Sequence, residues 1–159
     1  MSRWIVRVYA LCPGPCNTWL TVEEYFQGGW IHKFPGGGVE ASEGLLEALQ
    51  RELWEELRVE IQEAKHFYTT HFYQRSYYHT DARLLAVYYQ VQVSGTLTPM
   101  NPRLRLKWLP PDFMQLTFPI DRFVSGLLLR GESSVDGEPL RTYFANAGRP
   151  GYPLAPLPE

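Results

Sequence analysis

FPGGGVEASEGLLEALQRELWEELRV, residues 34–59, is the stretch on which the fold turns. Three consecutive glycines, Gly36 to Gly38, let a backbone adopt positive φ and approach another group closely. Directly after them, from about Gly44 to Leu57, the apolar period becomes helical. Leu46, Leu49, Leu53 and Leu57 mark the face that spacing predicts to be buried. Ser42 is the candidate N-cap. Glu52, Glu55 and Glu56 stand at i, i+3 and i+4, neighbouring points on one face of that helix. Glu47 and Arg51 are spaced as a well-oriented i, i+4 pair, whereas Glu52 and Glu56 repel. In open solvent that repulsion amounts to roughly 0.2–0.5 kcal/mol. In a partly shielded cleft it rises to about 3 kcal/mol. A hard cation reverses its sign, because Mg²⁺ favours carboxylate oxygens. A glutamate-rich helix is also an ordinary wet surface, and only the adjoining glycine bend tips the reading toward a metal site. The bend's carbonyls could join the carboxylates, and the helix N-terminus could receive phosphate.

Seven of the chain's seventeen acids fall between residues 40 and 60: Glu40, Glu43, Glu47, Glu52, Glu55, Glu56 and Glu60. Only Arg51 and Arg58 oppose them there. Over the whole chain the formal net charge is just −2, which argues against a stable nucleic-acid partner or an anionic membrane surface. The 159 residues, 45% hydrophobic, suffice for one domain with a sizeable core. No apolar run approaches the roughly 20 residues of a membrane span. MSRWIVRVYAL at the N-terminus lacks a signal-peptide layout and reads as a first strand, so the expected compartment is the cytoplasm. Cys12 and Cys16 have no partners for a four-ligand zinc site and are expected as free thiols.

Alternation predicts strands over 4–11 and 18–26, then a short extended approach, GGWIHKF, to the glycines. VEIQEAKHFYTTHFYQ (59–74) and RLLAVYYQVQV (83–93) read as two longer strands joined through SYYHTDA. RLRLKWL (103–109) alternates strictly, with Arg103, Arg105 and Lys107 on one face, and a last helix is expected over Ile120 to Leu129. The mixture predicts an α/β layered fold. One domain is expected over residues 1–130, with a C-terminal extension over 131–159 ending in the Pro-rich GRPGYPLAPLPE.

The spacing Gly37, five residues, Glu43, seven residues, Arg51-Glu52-Leu53, one residue, Glu55-Glu56, one residue, Arg58, Val59 closely resembles the Nudix box. Eight of the nine specified positions match, Arg58 standing where the box has glycine. The order of elements resembles the family's over roughly residues 3 to 130. The resemblance implies an α/β/α sandwich with a central mixed β-sheet, and hydrolysis of a phosphoanhydride bond by water. The implied substrate is a nucleoside diphosphate linked to another moiety. Carried over, it implies that Glu52, Glu55 and Glu56, with the Gly37 carbonyl, bind Mg²⁺ or Mn²⁺. It implies that Glu43 and Arg51 pair to hold the loop on the helix. Homodimers occur in the family.

Two departures stand out. Arginine at position 58 should cost around 1 kcal/mol if the left-handed cap of the box persists. Many members also carry a further glutamate shortly before the tryptophan of a late strand. Here NPRLRLKWLP offers only basic side chains. Glu55 is then the first choice to activate the water and Asp81 the second. A chain that senses a nucleotide without turning it over is the alternative. Among other candidates, Arg7 on the first strand is placed to reach phosphate, and Tyr73 and Tyr77 are the favoured stacking partners for a base. Aromatic residues in strands are more often core, and the four histidines show no metal spacing.

Overall fold

The computed structural model describes residues 3–110, 112 and 115–131. The expected extension lies outside the described residues beyond Gly131. The elements are β1 (Arg3–Leu11), β2 (Trp19–Phe26), β3 (Gly29–Lys33), β4 (Gly36–Gly38), α1 (Leu45–Leu57), β5 (Glu60–Thr69), β6 (Ala82–Ser94), β7 (Leu104–Leu109) and α2 (Pro119–Arg130). A mixed sheet runs in the order β4-β1-β6-β5, with β1 parallel to β6 and the other pairs antiparallel. A second, antiparallel sheet runs β3-β2-β7.

The pleat of β1 explains the layers. Successive side chains on a strand point to opposite faces. Val8, Ala10 and Cys12 join the core beneath α1, with Ala48, Leu49, Leu53 and Leu57. Tyr9 and Leu11 join the core beneath α2, with Ile120, Phe123, Val124 and Leu127. The mixed sheet therefore lies between two helices, the sandwich expected from the sequence. Gln27 and Gly28, both at positive φ, close the tight hairpin from β2 to β3.

Three local expectations need correction. Leu46 is 45% exposed: it keeps to the predicted face but sits in the first turn of α1, where it lines an open groove with Trp54 and Ile61. Gly44, not Ser42, is the N-cap, and no side chain closes it. β5 ends at Thr69 instead of continuing to Gln74. Past it the chain turns, with the Thr70 hydroxyl accepting from the Ala86 amide and the Ser76 hydroxyl accepting from Tyr78 and His79. No helix among the described residues is long and apolar enough to cross a membrane. Cys12 is buried and Cys16 exposed, both as free thiols.

Candidate active site

Gly36 holds φ +142°, and any Cβ there would run into the Val8 carbonyl. That close approach lets β4 pair with β1 through Val8 and Gly37. Gly37 is bare for another reason: a Cβ would collide with the Glu52 carboxylate. The bend and α1 thus touch through one glycine and one glutamate. Arg51 ties them further. Its Nε donates to both oxygens of Glu43 at 2.9 and 3.0 Å, and its Nη2 to the Gly38 carbonyl at 3.0 Å. Nη1 reaches Glu52 at 3.1 Å and Glu55 at 3.3 Å. The ion pairs of Arg51 therefore go to Glu43, Glu52 and Glu55 instead of to Glu47.

Glu56 points inward. Its Oε2 is buried without a hydrogen-bond partner, and Oε1 lies 3.9 Å from the ammonium of Lys33. Burial pushes the Glu56 carboxyl up to about 7; Lys33 pulls the other way, and Glu52 and Glu24 add repulsion. Lys33 is only 1% exposed, and its Nζ donates to the Gly36 carbonyl at 3.1 Å. Desolvation works against its charge, yet Glu56 beside it keeps it above the ordinary lysine range. An orphaned buried carboxylate oxygen, beside carboxylates that share one helix face, fits a hard divalent cation. As arranged, no three described His, Cys, Asp or Glu side chains converge on one point. Glu52 and Glu55 are drawn instead to the Arg51 guanidinium, and a metal would require them to turn from it.

Arg7 lies behind this cluster, feeling the Glu52 charge and donating through Nε to the Tyr9 hydroxyl at 2.6 Å. Its guanidinium stacks on Tyr78, 4.7 Å from the ring centroid. Tyr77 shares a narrow, mostly apolar slot with Arg7, Tyr9, Tyr78 and Phe118. Tyr73 is not brought there: it lines a separate depression with Trp4, Phe72 and Arg83. Asp81 is also elsewhere, 3.6 Å from Arg3 at the far end of β1, so it is not poised to activate a water at Glu56. The basic row of the late strand meets acids and rings: Lys107 and Arg105 pair with Glu23 at 2.9 and 3.9 Å, and Arg105 stacks on Trp30.

Sequence reasoning missed Lys33 and Glu24. The signal was available. Lys33 stands directly before the Phe-Pro that leads into the glycines, and Glu24 continues the buried alternation of Leu20 and Val22.

A family model for the NUDIX domain matches residues 3–127. No curated protein matches the chain. Among solved structures, a NUDIX hydrolase from Nitrosomonas europaea aligns with a TM-score of 0.69 at 18% identity, covering 83% of this chain and 93% of that one. The E. coli ORF135 protein aligns with a TM-score of 0.59 at 21% identity, over 94% and 95%. A MutT NUDIX hydrolase from Burkholderia pseudomallei gives 0.58 at 21%, over 70% and 86%. At such identities the likeness concerns the fold.

Proposed function

The chain belongs to the Nudix family and is a Nudix-type pyrophosphohydrolase; from that premise we propose that it is a metal-dependent, cytoplasmic hydrolase. It cleaves the phosphoanhydride of a nucleoside diphosphate linked to another moiety. The observation that carries this reading is the partnerless buried oxygen of Glu56, at the end of a row of carboxylates that faces the glycine bend.

Glu52, Glu55, Glu56 and the Gly37 carbonyl would hold Mg²⁺ or Mn²⁺. When bound, the ion neutralises pyrophosphate charge and makes a water acidic enough to lose its proton near neutral pH. Glu55, the most exposed of the three carboxylates, would accept the proton of the attacking water. Water oxygen bonds to phosphorus as the bridging P–O bond breaks, and the electron pair leaves with the departing phosphate. Arg51 and Glu43 keep the bend on the helix, so Gly37 and Glu52 stay in contact. Arg7 offers a guanidinium to phosphate, and Tyr77 edges the slot beside it.

The test is phosphate release from nucleoside triphosphates, dinucleoside polyphosphates, ADP-ribose and nucleotide sugars, with Mg²⁺ or Mn²⁺. Turnover of one class is expected, and Glu56→Gln should lower it by about two orders of magnitude or more. A second reading, a nucleotide sensor without turnover, is favoured by the purely basic side chains of the late strand. Tight nucleotide binding with no hydrolysis anywhere on the panel would select it.

A further inference from the structure

The late strand supplies no acid, and the nearest strand that does is β2. The pleat separates its two glutamates. Leu20 and Val22 point into the core beneath α1, and Glu24 continues that face. Glu23 points the other way, to Lys107 and Arg105. We propose that Glu24 is the fourth carboxylate of the metal centre, supplying from β2 the group that the late strand lacks. The proposal rests on the metal-dependent reading above.

Three observations carry it. Glu24 Oε2 and Glu56 Oε1 each lie 3.9 Å from the same Lys33 nitrogen, so the two oxygens are separated by no more than twice that distance. Mg²⁺ holds oxygens at about 2.1 Å, so opposite ligands stand about 4 Å apart, and the two side chains would turn toward each other to share the ion. Next, Glu24 opens into the same cleft of about 440 Å³ as Glu55 and Glu56, which Asn101 and Arg103 also line. Finally, Lys33 pairs with both carboxylates only at ion-pair distance. Its short hydrogen bond goes to the Gly36 carbonyl, and at 3.9 Å it balances Glu24 and Glu56 without saturating their lone pairs. If Glu24 served only as counter-ion to a buried lysine, Glu56 would already fill that role at the same distance.

Titration calorimetry with Mn²⁺ alone, on metal-free protein, tests the assignment. Glu24→Gln is expected to weaken Mn²⁺ binding by about 10- to 100-fold. Glu23→Gln is expected to match wild type. Glu24→Asp keeps the charge beside Lys33 but draws it back one methylene, and serves if the glutamine variant fails to fold. Weakened Mn²⁺ binding by Glu24→Asp at an unchanged melting temperature supports the proposal. Wild-type Mn²⁺ affinity in whichever Glu24 variant folds overturns it; if Glu56→Gln has meanwhile lost binding, the metal-dependent reading survives without Glu24. Absence of Mn²⁺ binding by wild type overturns both.

Discussion

Arg58 closes α1 in the left-handed conformation, φ 56° and ψ 40°, with its amide donating to the Trp54 carbonyl. A side chain with a Cβ pays there roughly 1 kcal/mol that glycine does not. Part is returned, because the guanidinium stacks 5.1 Å from the Trp54 centroid, an exposed contact of about 0.5 kcal/mol. Arg58→Gly is therefore expected to stabilise by about 0.5 kcal/mol and raise the melting temperature by roughly 1–2 °C. Hydrolysis should stay at the wild-type level, since Arg58 does not line the cleft that Glu55 and Glu56 share. A lower melting temperature in Arg58→Gly would show that the stacking outweighs the strain. At this scale the sequence was most readable where a residue's role is local. The strained cap could be read from one arginine in place of glycine, and the Glu43–Arg51 spacing from two positions. Lys33 and Glu24 carried a local signal, the approach to Phe-Pro and the alternation with Leu20 and Val22, but their meeting with Glu56 depends on strands and a helix packing across the fold.

Between elements, α2 meets β6 through one acid. Asp121, fully buried in the first turn of α2, accepts from the Tyr88 hydroxyl at 2.6 Å. Its other oxygen has no partner, and burial pushes the carboxyl up to about 6, with Tyr88, Lys33 and Phe34 pulling the other way. A carboxyl whose pKa rises on folding binds its proton more tightly in the native state. Its contribution is thus fully present below the unfolded value near 4 and lost as pH climbs through about 6. Asp121→Asn cannot ionise. From pH 4 to pH 7 its stability relative to wild type should improve by on the order of 2–3 kcal/mol, read from denaturant midpoints at each pH. A constant difference between the two proteins across that range would refute the assignment. Taking the difference removes Glu56, whose raised value gives wild type a similar slope. The helix around Asp121 was legible from its period, but the acid inside it was not. Periodicity reports which face is apolar, and a single polar residue on that face is justified only by a partner 33 positions away. The same limit explains β5: alternation runs on through Phe72 and Gln74, yet the continuous ladder with β6 ends at Thr69 and Val87, leaving an isolated bridge between Arg75 and Arg83, and the ladder, not the pattern, ends the strand.

Across the whole molecule, charge is distributed against the resting fold. The net charge is −2, but the acids gather on α1 and at the end of β2, where Arg51, Lys33 and Arg7 offset them only partly. The box spacing made this concentration legible, because the glycine bend and the helix that meet at Gly37 and Glu52 are neighbours in the chain. A cation that binds only the folded protein should then act as a stabiliser. At one hundred times its dissociation constant the linkage is about 2.7 kcal/mol. For a domain of this size that corresponds to a rise of roughly 5–10 °C in the melting temperature. Mg²⁺ or Mn²⁺ added to metal-free protein is expected to give that rise, with KCl at matched ionic strength giving little. Glu56→Gln leaves the buried Lys33 ammonium without its nearest helix carboxylate, so it should melt below wild type without metal, and it should respond much less to Mg²⁺. An equal rise in wild type and Glu56→Gln, or one that KCl reproduces, would assign the effect to screening of a negative surface and remove the stabilising role from the carboxylate row.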